Sequence, residues 1–471
     1  MHNCKMFELC DDIKVYQLCK YYLTDIDALK LFKTCETEYN CIKLYKYKRH
    51  VEYYNLNHYK NCIVTKVIDI RNLDELDNLS DFITDMLFNR DFNLSLRIEN
   101  FPKYLEYLTF GDHFNQPIQS NTLPNSITHL TFGNMFNQPL HCLPNSLTHL
   151  TLGIRFDQPV SRINLPDTLT HLIFGERFNQ NVDDLPDSII YLEFGMAFNQ
   201  SADNLPKAII HLKFSWSFNQ PVDNLPNSVI HLEFGDSFNQ SVDNLPNSLN
   251  YLSFANYFYT CRSFNRPVNN LPNSITCLIF GDQFNQPLDC LPKSITDLTF
   301  GCDFNQSVDK LPNSIKRLKF GHRFNKSVDK LPKSITDLEF GLDFNQPVEN
   351  LPNSISCLKF GYSFNQLVNH LPNSIIDLIF GDQFNQPVNN LPISILHLTF
   401  GDSFNQPIQN NLPNSIVQLE FGRKFNHPIE GNLPNSITHL ALGYRFKHPI
   451  NKLPKSIVVL IVGDYVVIGE D

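Results

Sequence analysis

From residue 101 onward the chain repeats itself about every twenty residues, and no other feature limits its fold as severely. Leu-Pro recurs seventeen times from Leu123 to Leu453, and Phe101-Pro102 is a divergent first copy. A degenerate earlier copy starts at Leu79 and places Ile83, Phe88, Phe92 and Asn93 on the pattern. The unit reads L-P-N-S-I-x-x-L-x-F-G-x-x-F-N-Q-P-V-x-N. A unit this short cannot enclose a core alone. It buries its apolar side only against neighbouring copies, so a fixed period of this length predicts a solenoid.

Within the unit, positions seven to ten (x-L-x-F) alternate outward and inward, the period of a strand. The inward Leu stands in every copy from Leu108 to Leu460. The Gly that follows, as at Gly111, Gly133 and Gly281, is expected to make a sharp turn with positive φ. Prolines at positions two and seventeen exclude an α-helix from the return path. About ten residues remain for the return, enough for turns or short 3₁₀ segments. The expected fold class is therefore a repeat solenoid with a leucine-rich-repeat-like parallel β-sheet and little helix on the return side. A small α-helical N-terminal module precedes it.

Two ladders should hold the coils together. The second Phe of the unit occurs in all seventeen copies from Phe114 to Phe446, and the strand Phe in fifteen of eighteen. Together they account for 32 of the 39 Phe, so Phe is core material rather than a cofactor box. The following Asn occurs in fifteen of seventeen copies, with Asp157 and Lys447 as exceptions. Its amide is expected to satisfy backbone groups of the neighbouring coil.

The unit, with its F-N-Q-P-V segment, resembles the FNIP repeat, a relative of the leucine-rich repeat. It is also similar to the short L-P-x-x-L-x-x-L repeats of bacterial effector proteins. The resemblance covers about residues 101–463 and implies a solenoid that recognises another protein on its surface.

The seventh and ninth positions would form the open face of the sheet. The seventh carries His129, His149, His171, Tyr191, His211, His231 and Tyr251, a His/Tyr stripe, and then mixed and charged residues. Exposed aromatic and His side chains suit a protein interface. A tolerated exposed ladder and a transition-metal site are the other readings of the stripe. Further along, Asp297, Arg317 and Asp337 alternate in sign, as do Lys319, Glu339 and Lys359, and should pair across strands. Two departures from the pattern are candidate anchors. One is the six-residue insertion, with Tyr257, Phe258 and Tyr259, that lacks the turn Gly. The other is Trp216, the sole Trp, preceded by Ser215 where Gly is expected.

The first hundred residues contain neither Pro nor Gly, so this region is of another kind. Residues 1–50 read as helical, residues 51–78 as a linker or N-terminal cap, 79–463 as the solenoid of about 18–19 repeats, and 464–471 as a C-terminal tail. The order of Leu9, Ile13, Leu23, Leu29 and Leu31, with Asp25 at a helix start, resembles an F-box. That resemblance implies docking on a Skp1-type subunit of a cullin ubiquitin ligase. Cys10 stands where the F-box pattern has Pro, and the spacing from Ile13 to Leu23 is about two residues longer. The alternative is a plain interaction scaffold whose N-terminal helices only cap the first coil.

Composition narrows the function class. A net charge of −10 argues against an overall grip on nucleic acid. The longest apolar run, Ile457 to Val462, is far short of a bilayer span, so no membrane partner is expected. No nucleophile, base and orienting group stand together in the pattern, which predicts a protein that is not an enzyme and takes no cofactor. Six of the twelve Cys lie in residues 1–62 without zinc-module spacing. They are expected to be reduced thiols in an intracellular, cytoplasmic or nuclear compartment.

Overall fold

The computed structural model describes residues 51–52, 66–76, 79, 81, 83–161, 165–254, 264–409 and 411–468. The F-box-like residues Leu9, Ile13, Leu23, Leu29 and Leu31, and the insertion residues Tyr257, Phe258 and Tyr259, lie outside the described residues. The chain divides into two compact units, 1–209 and 210–471.

The first unit carries β1 (Val51–Glu52), β2 (Lys66–Ile70), β3 (Asp85–Phe88), β4 (Tyr107–Thr109), β5 (His129–Thr131), β6 (His149–Thr151), β7 (His171–Ile173) and β8 (Tyr191–Glu193). Each pairs with the next in parallel, and from β3 onward equivalent residues lie side by side, as in Leu130 beside Leu150. The parallel sheet starts before the repeat pattern does, since β1 and β2 fall within 51–78.

The second unit begins with β9 (His211–Lys213), β10 (His231–Glu233), β11 (Tyr251–Ser253), β12 (Cys277–Ile279), β13 (Asp297–Thr299), β14 (Arg317–Lys319) and β15 (Asp337–Glu339). It continues with β16 (Cys357–Lys359), β17 (Asp377–Ile379), β18 (His397–Thr399), β19 (Gln418–Glu420), β20 (His439–Leu442), β21 (Val459–Val462) and β22 (Tyr465–Ile468). Pairing is again parallel and in register from β9 to β21. β22 turns back and pairs antiparallel with β21 through the two-residue loop Gly463-Asp464, with Gly463 at φ 59°. That hairpin gives β21 a partner on its outer edge.

Strands β3 to β21 make about nineteen turns of an LRR-like parallel solenoid with almost no helix. One 3₁₀ turn, Ile98–Asn100, is the only helical element among the described residues. Elsewhere the return path is a chain of tight turns. The Pro carbonyl of Leu-Pro-Asn-Ser-Ile accepts the Ile N–H, as from Ile315 to Pro312 at 3.3 Å. The Ser hydroxyl donates to the preceding coil's Ile carbonyl, as from Ser314 to Ile295 at 2.6 Å.

The glycine after each strand does not serve the expected purpose. Among the described glycines, positive φ occurs only at Gly431 and Gly463. The others are required by close approach between coils. A Cβ placed on Gly341 would lie 1.8 Å from the carbonyl oxygen of Gly321, and the same holds at 1.8 Å for Gly321 over Gly301. The obstacle is backbone, which has nowhere to go.

The Phe ladders form as expected. Phe340 stacks on Phe320 and Phe360 at 5.6 Å, Phe344 on Phe324 at 6.0 Å, and the two ladders meet within a coil at 3.8 Å. These rings are almost fully buried, so each contributes about 1.5–3 kcal/mol by transfer from water. The Asn ladder works as an acceptor. Asn345 Oδ1 takes the Asn365 N–H at 2.9 Å and the Gln366 amide at 3.1 Å. Asp157 does the same for Asn179 and Gln180, both at 2.9 Å, which explains why a carboxylate is tolerated there. Lys447, with no acceptor, stands at the last described Phe-Asn-type turn.

These three ladders predict a ranking of unfolding midpoints. Phe344→Ala should cost about 3–5 kcal/mol through the cavity it leaves. Gly341→Ala should cost at least as much, although it adds only a methyl group. Asn345→Leu should cost about 1–3 kcal/mol by orphaning buried donors, whereas Asn345→Asp should be mild. A neutral Gly341→Ala variant in urea unfolding would contradict the close-approach account.

Candidate functional site: the open face of the sheet

Each three-residue strand buries its central Leu and leaves the two flanking side chains at least partly exposed, apart from the buried Ser253 of β11. Because the coils are in register, residues at the seventh position line up across strands. In the first unit Tyr107, His129, His149, His171 and Tyr191 form a continuous stack. Successive ring centroids are 4.3, 4.1, 4.0 and 5.6 Å apart. Tyr107 was not among the residues that sequence reasoning selected. Its place at the seventh position of the divergent first copy, counting Phe101 as the first, was the available signal. In the second unit His211 and His231 are 5.2 Å apart and tilted, and His231 stacks on Tyr251 at 4.0 Å. His231 Nε2 also meets Glu233 at 2.7 Å.

In the first unit a Thr hydroxyl precedes and contacts each imidazole. Thr128, Thr148 and Thr170 contact Nδ1 of His129, His149 and His171, each at 2.9 Å. Thr148 and Thr170 donate their hydroxyl protons to the carbonyls of Thr128 and Thr148 at 3.0 and 3.1 Å. A hydroxyl has one proton, so toward the ring it accepts, and Nδ1 carries the hydrogen. Nε2 is then the unprotonated nitrogen. Desolvation holds the His129 and His149 pKa values below the usual imidazole range, with neighbouring imidazoles adding to the effect. Glu106 and Asp85 oppose the shift at His129. Burial, then His231, lowers His211 likewise.

Such a stack is poorly shaped for a metal. Parallel rings send their lone pairs in parallel rather than toward one point. Among the described residues no group of three or more His, Cys, Asp or Glu is arranged to hold an ion.

Further along the second unit the face is charged and internally paired. Arg317 bonds Asp297, and Lys319 and Lys359 both reach Glu339, at 3.3 and 3.2 Å. Such half-exposed pairs contribute little to stability individually. At the rim a groove of about 440 Å³ runs over Gly301, Gly321, Gly341 and Gly361. Cys302 and His322 meet there at 3.4 Å. Burial, reinforced by Asp282, pushes the Cys302 thiol up to about 11. It stays protonated at neutral pH, so the pair lacks the thiolate of a cysteine–histidine nucleophile. Trp216 is half-buried on the same kind of rim turn, not on the strand face. Its carbonyl accepts the Ser237 N–H at 2.9 Å.

The imidazole stack has a spectroscopic signature. Nitrogen NMR of the folded chain should show His129 and His149 as Nδ1–H tautomers that titrate below the unfolded-state value of about 6.5. Because their folded pKa values are lowered, the unfolded chain binds more protons in that window. The contribution to stability is complete above the unfolded value and declines as pH falls through the folded ones. Thr148→Val should loosen the tautomer preference of His149. Nε2–H tautomers in the unmodified chain would overturn the hydrogen-bond assignment.

The sequence matches the FNIP Repeat family in nine segments: 92–135, 136–177, 178–215, 218–257, 264–303, 304–343, 344–382, 384–424 and 425–465. A comparison with curated proteins returns no match. Among solved structures, the chain is similar to CroV588, described as a novel circular LRR protein. The identity is 36%, the TM-score 0.54, and the match covers 85% of this chain and 82% of that one. It is also similar to YopM from Yersinia enterocolitica, at 18% identity and TM-score 0.42 over 83% and 92% of the two chains. The functional domain of InlJ from Listeria monocytogenes aligns at 10% identity and TM-score 0.41 over 64% and 70%. With nine matched segments tiling the coils from residue 92 to 465, the chain belongs to the FNIP repeat family.

Proposed function

We propose that the chain is a non-enzymatic recognition solenoid that docks a protein partner on the open face of its sheet. One observation carries this reading. The seventh and ninth positions form long, regular rows of partly exposed side chains held by a rigid buried backbone, and in the first unit the seventh-position row is an aromatic stack. Rigid aromatic and imidazole side chains lose little conformational entropy on binding, which suits an interface.

Photo-crosslinkers placed singly at positions 107 and 149, and at the 81% exposed Ile393 on a return turn, should separate this face from the rest of the surface. The expected outcome is that the same partner crosslinks from positions 107 and 149 and not from 393. Crosslinking from the return turn alone would overturn the assignment.

A finer reading is that the N-terminus couples the bound protein to a cullin-type ubiquitin ligase. Its support is the sequence order of Leu9, Ile13, Leu23, Leu29 and Leu31. A purified Skp1-type protein should bind the full chain with micromolar or tighter affinity and lose at least about tenfold with Leu29→Asp/Leu31→Asp. Absence of binding by the folded full chain would leave the scaffold role alone.

A further inference from the structure

We propose that the stack from Tyr107 to Tyr191 docks an extended segment rich in arginine or lysine, and releases it when the imidazoles take up protons. This rests on the reading of the strand face as the docking surface and names the chemistry of its occupant.

The argument is one of charge and hydrogen-bond complementarity. Strands β3 to β8 contain no Lys or Arg. They carry carboxylates at both ends, Asp85 on β3 and Glu193 on β8, and Glu106 immediately precedes β4. Between those ends stand imidazoles whose Nδ1 hydrogens are already committed to Thr hydroxyls. The other ring nitrogen of His129 and of His149, Nε2, therefore offers an acceptor. A row of acceptors bounded by carboxylates, with no cation on its own strands, calls for a partner that brings donors and positive charge. Guanidinium and ammonium groups bring both. An acidic segment would instead bring like charge to Asp85, Glu106 and Glu193, with only neutral hydroxyls such as those of Tyr107, Thr131 and Thr151 to meet it.

The same stack supplies the release. His129 faces Tyr107, Asp85 and Glu106 on one side and His149 and His171 on the other, and His149 faces His129 and His171. Tyr191 closes the row. Protonation would place positive charges on rings only 4.0–4.1 Å apart. The acceptor on each Nε2 is lost, and the row repels both itself and a cationic partner. Neutral rings are the state that binds, and acid is the state that releases.

The test uses the full chain and three fluorescent peptides of equal length, alternating Arg-Ser, Asp-Ser and Gly-Ser, by anisotropy at pH 7.5 and pH 5.0. At pH 7.5 the Arg-Ser peptide should bind at least about tenfold more tightly than the others. His129→Lys/His149→Lys should weaken it by about tenfold or more, while Asp329→Lys, on the exposed return side of the second unit, should change it less than about twofold. Asp329→Lys alters net charge without touching the stack, so it separates local recognition from general attraction to an acidic chain. Acidification should weaken binding by the unmodified chain and leave His129→Gln/His149→Gln nearly unchanged, since Gln keeps an acceptor that does not titrate. Circular dichroism melts confirm that each variant is folded. Equal binding of the Asp-Ser peptide, or binding indifferent to the paired Lys substitutions, overturns the proposal. The photo-crosslinks from positions 107 and 149 report independently on whether the face is used at all, so the two failures are distinguishable.

Discussion

The spacing between coils is set by backbone meeting backbone. At the glycine turns after the strands, the glycine of one coil lies so close over the backbone of the previous one that a Cβ would fall about 2 Å from it, and Ser215 is an exception among the described repeats. Only hydrogen fits. With that contact fixed, the strand hydrogen bonds, the Phe stacks and the Asn acceptors all repeat at one interval. The side chains then do what a short unit cannot do alone: the rings exclude water along the whole array, and the amides satisfy turn donors that stacking would otherwise bury unpaired. Stability is therefore distributed as a nearest-neighbour property rather than held in one core.

A consequence is that any choice at the seventh or ninth position becomes a row. Opposite charges on neighbouring coils neutralise one another, as in the Lys319, Glu339 and Lys359 group. Identical imidazoles instead stack and shift one another's titration. The first unit's face has thereby acquired a property that no single coil has, a line of like acceptors held in one tautomer. The Thr before each His is as much a part of that surface as the ring.

The period, the inward Leu, the Phe ladders and the outward His/Tyr row could all be read from the sequence, because each follows from alternation within twenty residues. What could not be read depends on atoms one coil away. Glycine after the strand suggested a left-handed turn, the usual local reason for glycine. The actual reason, a carbonyl from the preceding coil, is invisible in any single unit. The Thr128, Thr148 and Thr170 contacts needed the previous coil's carbonyl for the same reason. Trp216, a candidate anchor, is half-buried on a rim turn, a placement that its rarity alone does not give. β1 and β2 carry no repeat motif to announce them. The Tyr465–Ile468 strand was read as tail because a two-residue hairpin after Val462 breaks the parallel rule that every earlier coil obeys.

The equivalence of the coils is most directly tested by removing one. Deletion of residues 331–350 excises one full period and should bring Phe324 against Phe364 with every ladder intact. Deletion of 331–340 removes half a period, taking strand β15 (Asp337–Glu339) with it and leaving two return segments in series between β14 and β16. The account predicts that the full-period deletion folds with a cooperative melt close to the parent's, while the half-period deletion loses it. Equal damage from the two deletions would contradict the stacked-coil account.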